Sequence, residues 1–281
     1  MLSESARSTL VLVRIFPVFE PSSPLWLFVQ ASSLFTSSPA PPGCYNYILT
    51  TLTFSGAGVE SMTMGYGPSA QPSSYSDKVL SNPESADCLI PMGITSENVA
   101  KEWRITRDEQ DAFAAESFQR AAKALKAGKF KDEIIPVTVK WVDPKTEKEV
   151  EKVISVDDGI RDGVTKESLA KLKPAFAENG TTHAGNASQV SDGAAAVLLA
   201  RRSVAKRLDL PILGKFVAAT VVGVPPKVMG VGPAFAIPAV LKKAGLNKTD
   251  VDFYEINEAF ASQAVMSVKH IGLPFEKVNL K

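Results

Sequence analysis

The chain has 281 residues, of which 45% are hydrophobic and 22% are charged, and its formal net charge is +1. This length can bury one large core or two modest ones, and the composition is ordinary for a soluble globular protein. A net charge near zero gives no basis for expecting a nucleic-acid-binding protein or one that binds anionic membranes.

Cysteine content and apolar segments bear on the cellular compartment. Two cysteines, Cys44 and Cys88, are too few for a disulfide framework, which favours a reducing compartment. The apolar runs at residues 10–19 and 25–35 are broken by Arg14 and by serines well short of a membrane span. The start of the chain fits a secretory signal poorly, because an arginine lies inside its apolar run, and it leaves a mitochondrial transit peptide open.

Residues 65–100 predict a surface loop followed by a helix. Prolines, glycines and serines between residues 65 and 82 are typical of a loop. The segment PMGITSENVA, residues 91–100, predicts a helix that Thr95 or Ser96 caps, with Glu97 in the first turn interacting favourably with the helix dipole.

The strongest helical pattern lies at residues 106–128. Thr106 and Glu109 have the spacing of a capping box, and Gly128 is placed to end the helix. Apolar side chains recur at helical spacing, which predicts a face in the core rather than a cofactor site: Ala114, Phe118, Ala121 and Leu125.

A β-hairpin and a polar turn follow. Residues 134–139 and 150–156 read as two strands around a polar turn. Residues 157–163 are interpreted as a solvated turn, and their carboxylates as surface groups rather than as a general acid–base pair. Residues 169–173 predict a short helix that Pro174 ends.

The next segments predict a ligand-binding loop, two strands and a helix. Residues 179–192 are rich in glycine, asparagine, serine and threonine, which suits a backbone that approaches a ligand closely. Residues 194–200 are small and apolar, as in a central strand, and residues 213–224 predict another apolar strand. A helix is expected from Gly232 to Gly245, with proline near its start and glycine just past its end.

The segment VDFYEINEAF, residues 251–260, predicts a short buried strand containing Val251, Phe253 and Ile256. Asn257 falls where this strand ends and a helix reading NEAFASQAVMSV is expected to begin. Its side chain can cap that helix or project over the carboxyl edge of the sheet, where ligands bind. Taken alone, the residue is better interpreted as an N-cap than as part of a site.

Three motifs occur in a fixed order: HAGNASQVSDGAAAVLL, VMGVGPAFAIPAVLKKAGL and NEAFASQ. Together they resemble the thiolase family, most closely the degradative 3-ketoacyl-CoA thiolases. The resemblance runs from residue 56 to residue 279 and begins with GAGVESM, which looks like a strand end entering a turn. It implies an α/β fold with layers in α-β-α-β-α order, here partial, with an inserted loop domain.

This resemblance also implies a division of the chain. Residues 1–55 are expected to be an unrelated N-terminal stretch, and residues 56–64 with 190–210 a remnant of the thiolase N-terminal half. Residues 65–189 are expected to form the loop domain with its CoA-binding segments, and residues 211–281 a truncated C-terminal half.

Thiolases transfer acyl groups to coenzyme A, and the resemblance implies roles for several residues. Asn257 matches the family asparagine that positions a water in an oxyanion hole. Glu258 is expected to support the helix that begins near Asn257 rather than to move protons. CoA is expected as a substrate, with no permanently bound cofactor and no metal. The residues expected to line its groove or to pack over it are Ser188, Ala184, Gly185, Asn186 and Met92.

The sequence departs from the family pattern at the reactive groups. No Cys-Ser-Ser-Gly-like segment precedes residue 56, Cys44 lacks the small residues that follow the family nucleophile, and Cys88 is expected to be a buried thiol. The family's Gly-His-Pro histidine and its second, basic cysteine have no match in this sequence. His183, where the family usually has threonine or alanine, is expected to be an exposed loop histidine rather than a phosphate ligand.

Two function hypotheses follow from the resemblance. One is a thiolase-type acyltransferase of fatty-acid β-oxidation that is catalytically incomplete in this chain alone. The other is a non-catalytic truncated isoform that binds CoA weakly or pairs with full-length thiolase subunits. An unrelated α/β ligand-binding domain is disfavoured, because three ordered motifs would then have to coincide by chance. The expected partners are CoA or acyl-CoA and a second subunit, in a homo-oligomer or with intact thiolase, and neither nucleic acid nor membrane. The expected location is the peroxisome, with mitochondria as the alternative.

Overall fold

The computed structural model describes residues 9–17, 25–32, 53–65 and 72–281. The strands of these residues form one four-stranded sheet and two two-stranded sheets. In chain order the strands are β1 (Thr9–Pro17), β2 (Leu25–Ser32), β3 (Thr53–Glu60), β4 (Val137–Val142), β5 (Glu149–Ile154), β6 (Gly193–Ala200), β7 (Thr220–Val222) and β8 (Phe253–Ile256).

The α-helices of the described residues separate or follow these strands. They are α1 (Met62–Gly65), α2 (Asp77–Leu80), α3 (Pro83–Asp87), α4 (Met92–Glu102), α5 (Arg107–Lys126), α6 (Lys166–Ala170), α7 (Arg202–Arg207), α8 (Gly232–Ala244) and α9 (Ala261–Ile271). Within the part of the chain that the structure describes, no helix is both long and apolar enough to cross a membrane.

The four-stranded sheet combines the two ends of the chain. Its strand order is β7-β1-β2-β8, with β1 antiparallel to both of its neighbours and β2 parallel to β8. The first two strands come from the apolar runs of residues 1–55, which the sequence analysis set apart from the rest. Their backbones lie between two strands of the C-terminal part.

The two-stranded sheets correct one expectation and confirm two. The antiparallel pair β4 and β5 is the predicted hairpin, and β3 leads into α1 as the GAGVESM segment indicated. Strand β6 exists where expected, but it pairs only with β3 among the described residues and most of its side chains are exposed. The interpretation as a central strand is therefore wrong, since a run of small apolar residues is buried only where layers cover both faces.

Helix α5 confirms its predicted capping. The Thr106 side chain accepts from the Glu109 backbone N–H, the Glu109 side chain accepts from the Thr106 backbone N–H, and Gly128 beyond the helix has a φ of 69°. The predicted core face is only partly correct. Ala114 is buried, whereas Phe118, Ala121 and Leu125 are half-buried, and the remaining buried positions are Gln110, Asp111, Ala115, Ala122 and Ala124.

The capping box has a consequence at acid pH. Hydrogen bonds from Lys269, then from the Thr106 backbone, lower the pKa of Glu109 from its usual 4.5 to about 2. A folded-state pKa below the unfolded value means that the stabilisation is complete above about pH 4.5 and is lost as the pH falls towards 2. We expect the free energy of unfolding to fall more steeply over this window in the wild type than in Glu109→Gln. Parallel pH profiles from urea titrations of the two proteins would contradict the expectation.

One buried core joins α8, α9 and the strand β8 that precedes Asn257. Ile237 and Val240 of α8 pack with Tyr254 and Ile256 of β8 and with Val268 of α9 in one buried cluster. Helix α8 begins at the expected glycine, contains Pro238, and is followed by Gly245 in the left-handed region. The strand predicted at residues 213–224 is limited to β7, because much of the preceding segment is exposed and no described strand pairs with it.

Two helix starts differ from the expectation. Helix α9 begins at Ala261 after Phe260, whose extended backbone pairs with Ala187, so Asn257 is not its N-cap. Helix α4 begins at Met92, and its Thr95 hydroxyl donates to the Met92 carbonyl from within the helix. At α9 the distant pairing outweighs the local capping preference, whereas at α4 the Thr95 hydroxyl is used by a bond within the helix.

Candidate functional site

Two motifs far apart in the sequence are joined by backbone hydrogen bonds. The Ser188 N–H donates to the Ala259 carbonyl, and the Ala261 N–H donates to the Asn186 carbonyl, each over 2.9 Å. Ala187 and Phe260 form an antiparallel bridge between these two bonds. The predicted CoA-binding loop therefore lies beside the segment that follows Asn257. We refer to residues 186–188 and 259–261 as the paired segments.

Asn257 follows the last residue of β8 and is exposed. Its carbonyl oxygen accepts a hydrogen bond from Gln263 Nε2 at 2.6 Å, which fixes the backbone there. No hydrogen bond joins its side-chain amide to another residue that the structure describes. The amide is thus available to a ligand or to a water.

The residues on either side of Asn257 are held by Asn279. Its Oδ1 accepts from the Ile256 N–H at 2.7 Å, and its Nδ2 donates to the Ile256 carbonyl at 2.8 Å and to Glu258 Oε1 at 2.7 Å. The other carboxylate oxygen of Glu258 accepts from the Ser117 hydroxyl at 2.6 Å. Both oxygens of Glu258 are therefore occupied, which supports the interpretation of this residue as structural. Burial, and secondarily the Glu258 carboxylate, raises the pKa of the nearby Glu255.

A buried carboxylate, Asp111, organises the other side of the loop. Its Oδ1 contacts His183 Nε2 at 2.7 Å and accepts from Asn186 Nδ2 at 3.2 Å, while its Oδ2 accepts from Arg107 Nε at 2.7 Å. Arg107 also donates to the carbonyls of Leu169 and Leu172 at the end of α6. The Asp111 carboxylate thus joins α5 to the loop directly, and Arg107 links the same group to the end of α6.

His183 is 1% exposed, so the expectation of an exposed loop histidine is wrong. Its Nδ1 accepts from the Gly185 N–H at 3.0 Å. The ring proton of the neutral imidazole must then lie on Nε2, which donates to Asp111. The composition of the loop predicted exposure, but the ring lies against helix α5, whose contact with this loop cannot be read from local sequence.

Helix α4 holds the start of the loop. The Glu97 carboxylate accepts from the backbone N–H groups of Thr181 and Thr182, at 2.9 Å and 2.7 Å, and from the Thr181 hydroxyl. One residue before Glu97, the buried Ser96 hydroxyl lies 2.7 Å from the hydroxyls of Thr182 and of Ser262. This chain of hydroxyls connects α4, the loop and α9.

We expect Glu97→Ala to lower the free energy of unfolding by about 2 kcal/mol, because two backbone N–H groups lose their charged acceptor in a half-buried position. Glu102→Ala is the matched control on the exposed end of the same helix, and a change within about 0.5 kcal/mol is expected there. Urea denaturation of the three proteins measures both effects. Equal losses for the two variants would show that the carboxylate does not anchor the loop.

The predicted binding residues differ in accessibility. Ser188 and Ala184 are exposed, Gly185 is half-buried, and Met92, the first residue of α4, is 42% exposed. Asn186 is buried, and its Nδ2 donates both to Asp111 and to the Thr181 carbonyl. Asn186 therefore shapes the loop from inside, and contact between these five residues and CoA stays a prediction.

The remaining reactive groups lie outside this arrangement. Cys88 is half-buried rather than buried, and its Sγ lies 3.5 Å from the Glu84 carbonyl oxygen. Cys44, which the sequence analysis considered, lies outside the described residues. Among the residues that the structure describes, no group of three or more histidine, cysteine, aspartate or glutamate side chains is arranged to hold a metal ion.

Sequence reasoning did not single out Asp111 or Ser262, and it considered Glu97 and Ser96 only in helix capping. The available signal was a polar pair, Gln110 and Asp111, on a helix face otherwise formed by alanines. A charged residue on a buried face usually has a partner. Two of the Asp111 partners, His183 and Asn186, lie 72 and 75 residues away in the sequence, so the pattern identifies the position but not these contacts.

Family comparisons match most of the chain. Residues 53–203 match the thiolase N-terminal domain, and residues 210–281 match the thiolase C-terminal domain. The chain is 59% identical over 225 residues to a peroxisomal 3-ketoacyl-CoA thiolase of Yarrowia lipolytica, which covers 80% of this chain and 54% of that protein. It is 57% identical over 222 residues to the peroxisomal 3-ketoacyl-CoA thiolase B of Rattus norvegicus, which covers 79% of this chain and 52% of that protein.

A solved structure supports the same relationship. The dimeric peroxisomal thiolase of Saccharomyces cerevisiae matches with a TM-score of 0.74 and 48% identity, covering 83% of this chain and 57% of that one. The thiolase-like α/β fold expected from the motifs is thereby confirmed. The chain spans about half the length of the curated relatives that it matches.

Proposed function

Since the chain belongs to the thiolase family, we propose that it provides the CoA groove and an oxyanion-stabilising residue of an acyltransferase that cleaves 3-ketoacyl-CoA with CoA in fatty-acid β-oxidation. The observation that carries this proposal is the pairing of residues 186–188 with residues 259–261. It brings the exposed Ser188 beside the segment that follows the exposed Asn257.

The exposed groups have the chemistry that this reaction needs. A loop that positions the pantetheine arm, here residues 184–188, lowers the entropic barrier by holding the thioester in place. A side-chain amide with free N–H groups, such as that of Asn257, can position a water that donates to the developing oxyanion. CoA is the proposed substrate, and the proposal includes no permanently bound cofactor.

Acyl transfer also needs a thiolate and a group that moves a proton. Neither role is assigned to Cys88, whose thiol is half-buried beside a helix carbonyl. His183 is not assigned either, because both of its ring nitrogens already have partners within the fold.

We propose that the protein acts in the peroxisome as an oligomer of thiolase subunits, either a homo-oligomer or a pairing with an intact thiolase. Two relatives are named peroxisomal, and the yeast relative is described as dimeric. The exposed apolar side chains of the β3–β6 sheet, such as Val59 and Leu198, support association. Light scattering of the purified chain, alone and mixed with a full-length peroxisomal thiolase, tests this part of the proposal.

Calorimetric titration with CoA tests the groove. We expect the wild type to bind CoA and Ser188→Trp to lose binding, because the indole would fill the groove beside the paired segments. Ser155→Trp, on an exposed residue after the β4–β5 hairpin, is the matched control and should bind like the wild type. Equal binding by all three proteins would contradict the proposed groove.

A thiolysis assay with acetoacetyl-CoA distinguishes an acyltransferase from the alternative, a non-catalytic isoform that binds CoA or pairs with thiolase subunits. Turnover by the purified chain that is lost in Asn257→Ala, with CoA affinity retained, would support the acyltransferase. CoA binding without turnover would support a non-catalytic chain that pairs with thiolase subunits.

A further inference from the structure

We propose that His183 is a positioning residue for CoA, which holds the loop of residues 183–188 against helix α5 through Asp111 and so keeps Ser188 at the groove. This inference rests on the proposed CoA groove. It adds a residue that does not touch the ligand and that acts through the shape of the loop.

The contacts of His183 close the loop from both sides of its ring. On one side Nε2 donates to Asp111 Oδ1 at 2.7 Å, and on the other Nδ1 accepts from the Gly185 N–H at 3.0 Å. The His183 backbone N–H donates to Asn186 Oδ1 at 2.8 Å. Asn186 Nδ2 in turn donates to Asp111 Oδ1 at 3.2 Å, the carboxylate oxygen that His183 also contacts. The turn of residues 183–186 is therefore tied to α5 at two points.

This turn is also tightly packed. A Cβ atom added at Gly185 would lie 2.5 Å from Leu169 Cδ2 and 2.8 Å from Leu172 Cδ1. Arg107, which pairs with Asp111, donates to the carbonyls of the same two leucines. The backbone at Gly185 thus packs closely against both leucine side chains, and a larger residue there would have to displace them.

The other end of the loop leads directly to the groove. Beyond Asn186, only Ala187 separates the anchored turn from Ser188, whose N–H is bonded to the Ala259 carbonyl. Ala184 and Ser188 are exposed. His183, just before Ala184, and Asn186, between the two exposed residues, are buried. A displacement of the buried turn therefore moves the exposed groups that are proposed to meet CoA.

Two substitutions separate the contacts of the ring. In His183→Asn the side-chain oxygen can still accept from Gly185, but the side chain is too short to reach Asp111. In His183→Gln the terminal amide can still donate to Asp111, but it offers no acceptor at the Nδ1 position. We expect CoA to bind about tenfold more weakly to His183→Asn, and His183→Gln to lie between it and the wild type.

Controls separate positioning from a general loss of stability. Val240→Ala removes buried volume from the α8 core and serves as a variant of reduced stability with an intact loop. His270→Asn changes the other histidine of the sequence, which is exposed. Both should bind CoA like the wild type. Equal CoA affinity of His183→Asn and the wild type would overturn the inference.

Hydrogen exchange decides the inference independently of CoA. We expect the Asn186 and Ser188 amides, which donate to the His183 and Ala259 carbonyls, to exchange faster in His183→Asn than in Val240→Ala, after the exchange rates of both variants are corrected for their difference in global stability. If the wild type fails to bind CoA, the proposed groove is wrong. In that case, faster exchange of these two amides in His183→Asn would still support the anchoring role of His183, and equal rates would contradict it.

Discussion

Asp111→Ala should lower the free energy of unfolding by about 3–5 kcal/mol, because it removes a buried carboxylate that pairs with Arg107 and accepts hydrogen bonds from two buried side chains. The Asp111 side chain is 2% exposed, and it contacts His183, Asn186 and Arg107. The His183 N–H and one Asn186 N–H would then be buried and unsatisfied. Chemical denaturation monitored by tryptophan fluorescence measures the loss.

Two variants make this prediction specific. Asp111→Asn keeps the shape of the side chain but places an amide N–H against either Arg107 or His183. Its free energy of unfolding should therefore lie between those of the wild type and the alanine variant. Asp108→Ala, one turn earlier on α5, removes a surface pair with Lys166 and should change the free energy of unfolding by less than about 1 kcal/mol. A loss from Asp111→Ala no larger than that from Asp108→Ala would contradict the proposal that the Asp111 carboxylate holds the loop against α5.

Ile237→Ala is expected to lower the free energy of unfolding by about 2–5 kcal/mol. Ile237 is fully buried in the cluster that joins α8, β8 and α9, and its truncation leaves a cavity beside β8, the strand that precedes Asn257. Phe235→Ala is the control on the same helix, where a larger side chain that is 44% exposed is removed. The aromatic ring at residue 235 packs near His270, so a small loss is expected there.

The comparison of these two α8 variants tests burial against size. If free energy follows buried contacts, Ile237→Ala destabilises more, although phenylalanine loses more atoms on truncation. A larger loss from Phe235→Ala would show that the exposed face of α8 is covered in solution by another surface. Thermal denaturation at several protein concentrations would then reveal whether that surface is a second copy of the chain.

Local sequence patterns predicted the elements whose ends are determined by local chemistry. The capping box at Thr106, the left-handed glycines at 128 and 245, and the alternating hairpin strands depend on interactions within a few residues. The ordered motifs predicted the family and the thiolase-like fold, because they are specific over many positions.

Patterns failed where a segment had a distant partner. Asn257 has the residue type and local position of an N-cap, but pairing of Phe260 with Ala187 delays the helix to Ala261. The same mechanism buries His183, whose neighbours in the sequence are small and polar. For strand β6 the error is the opposite one. Its apolar composition predicted burial on both faces, but most of its side chains are exposed.

The sequence by itself determined the family of this protein, the capping box of α5 and the segments in which Asn257 and Ser188 lie. The tertiary structure alone decided that these segments pair, that Asp111 is the hub of the loop and that the imidazole of His183 is buried with its proton on Nε2. The physical reason is the range of the interactions. Caps and turns form between near neighbours, whereas a buried carboxylate is satisfied by partners that only the folded chain brings within hydrogen-bonding distance.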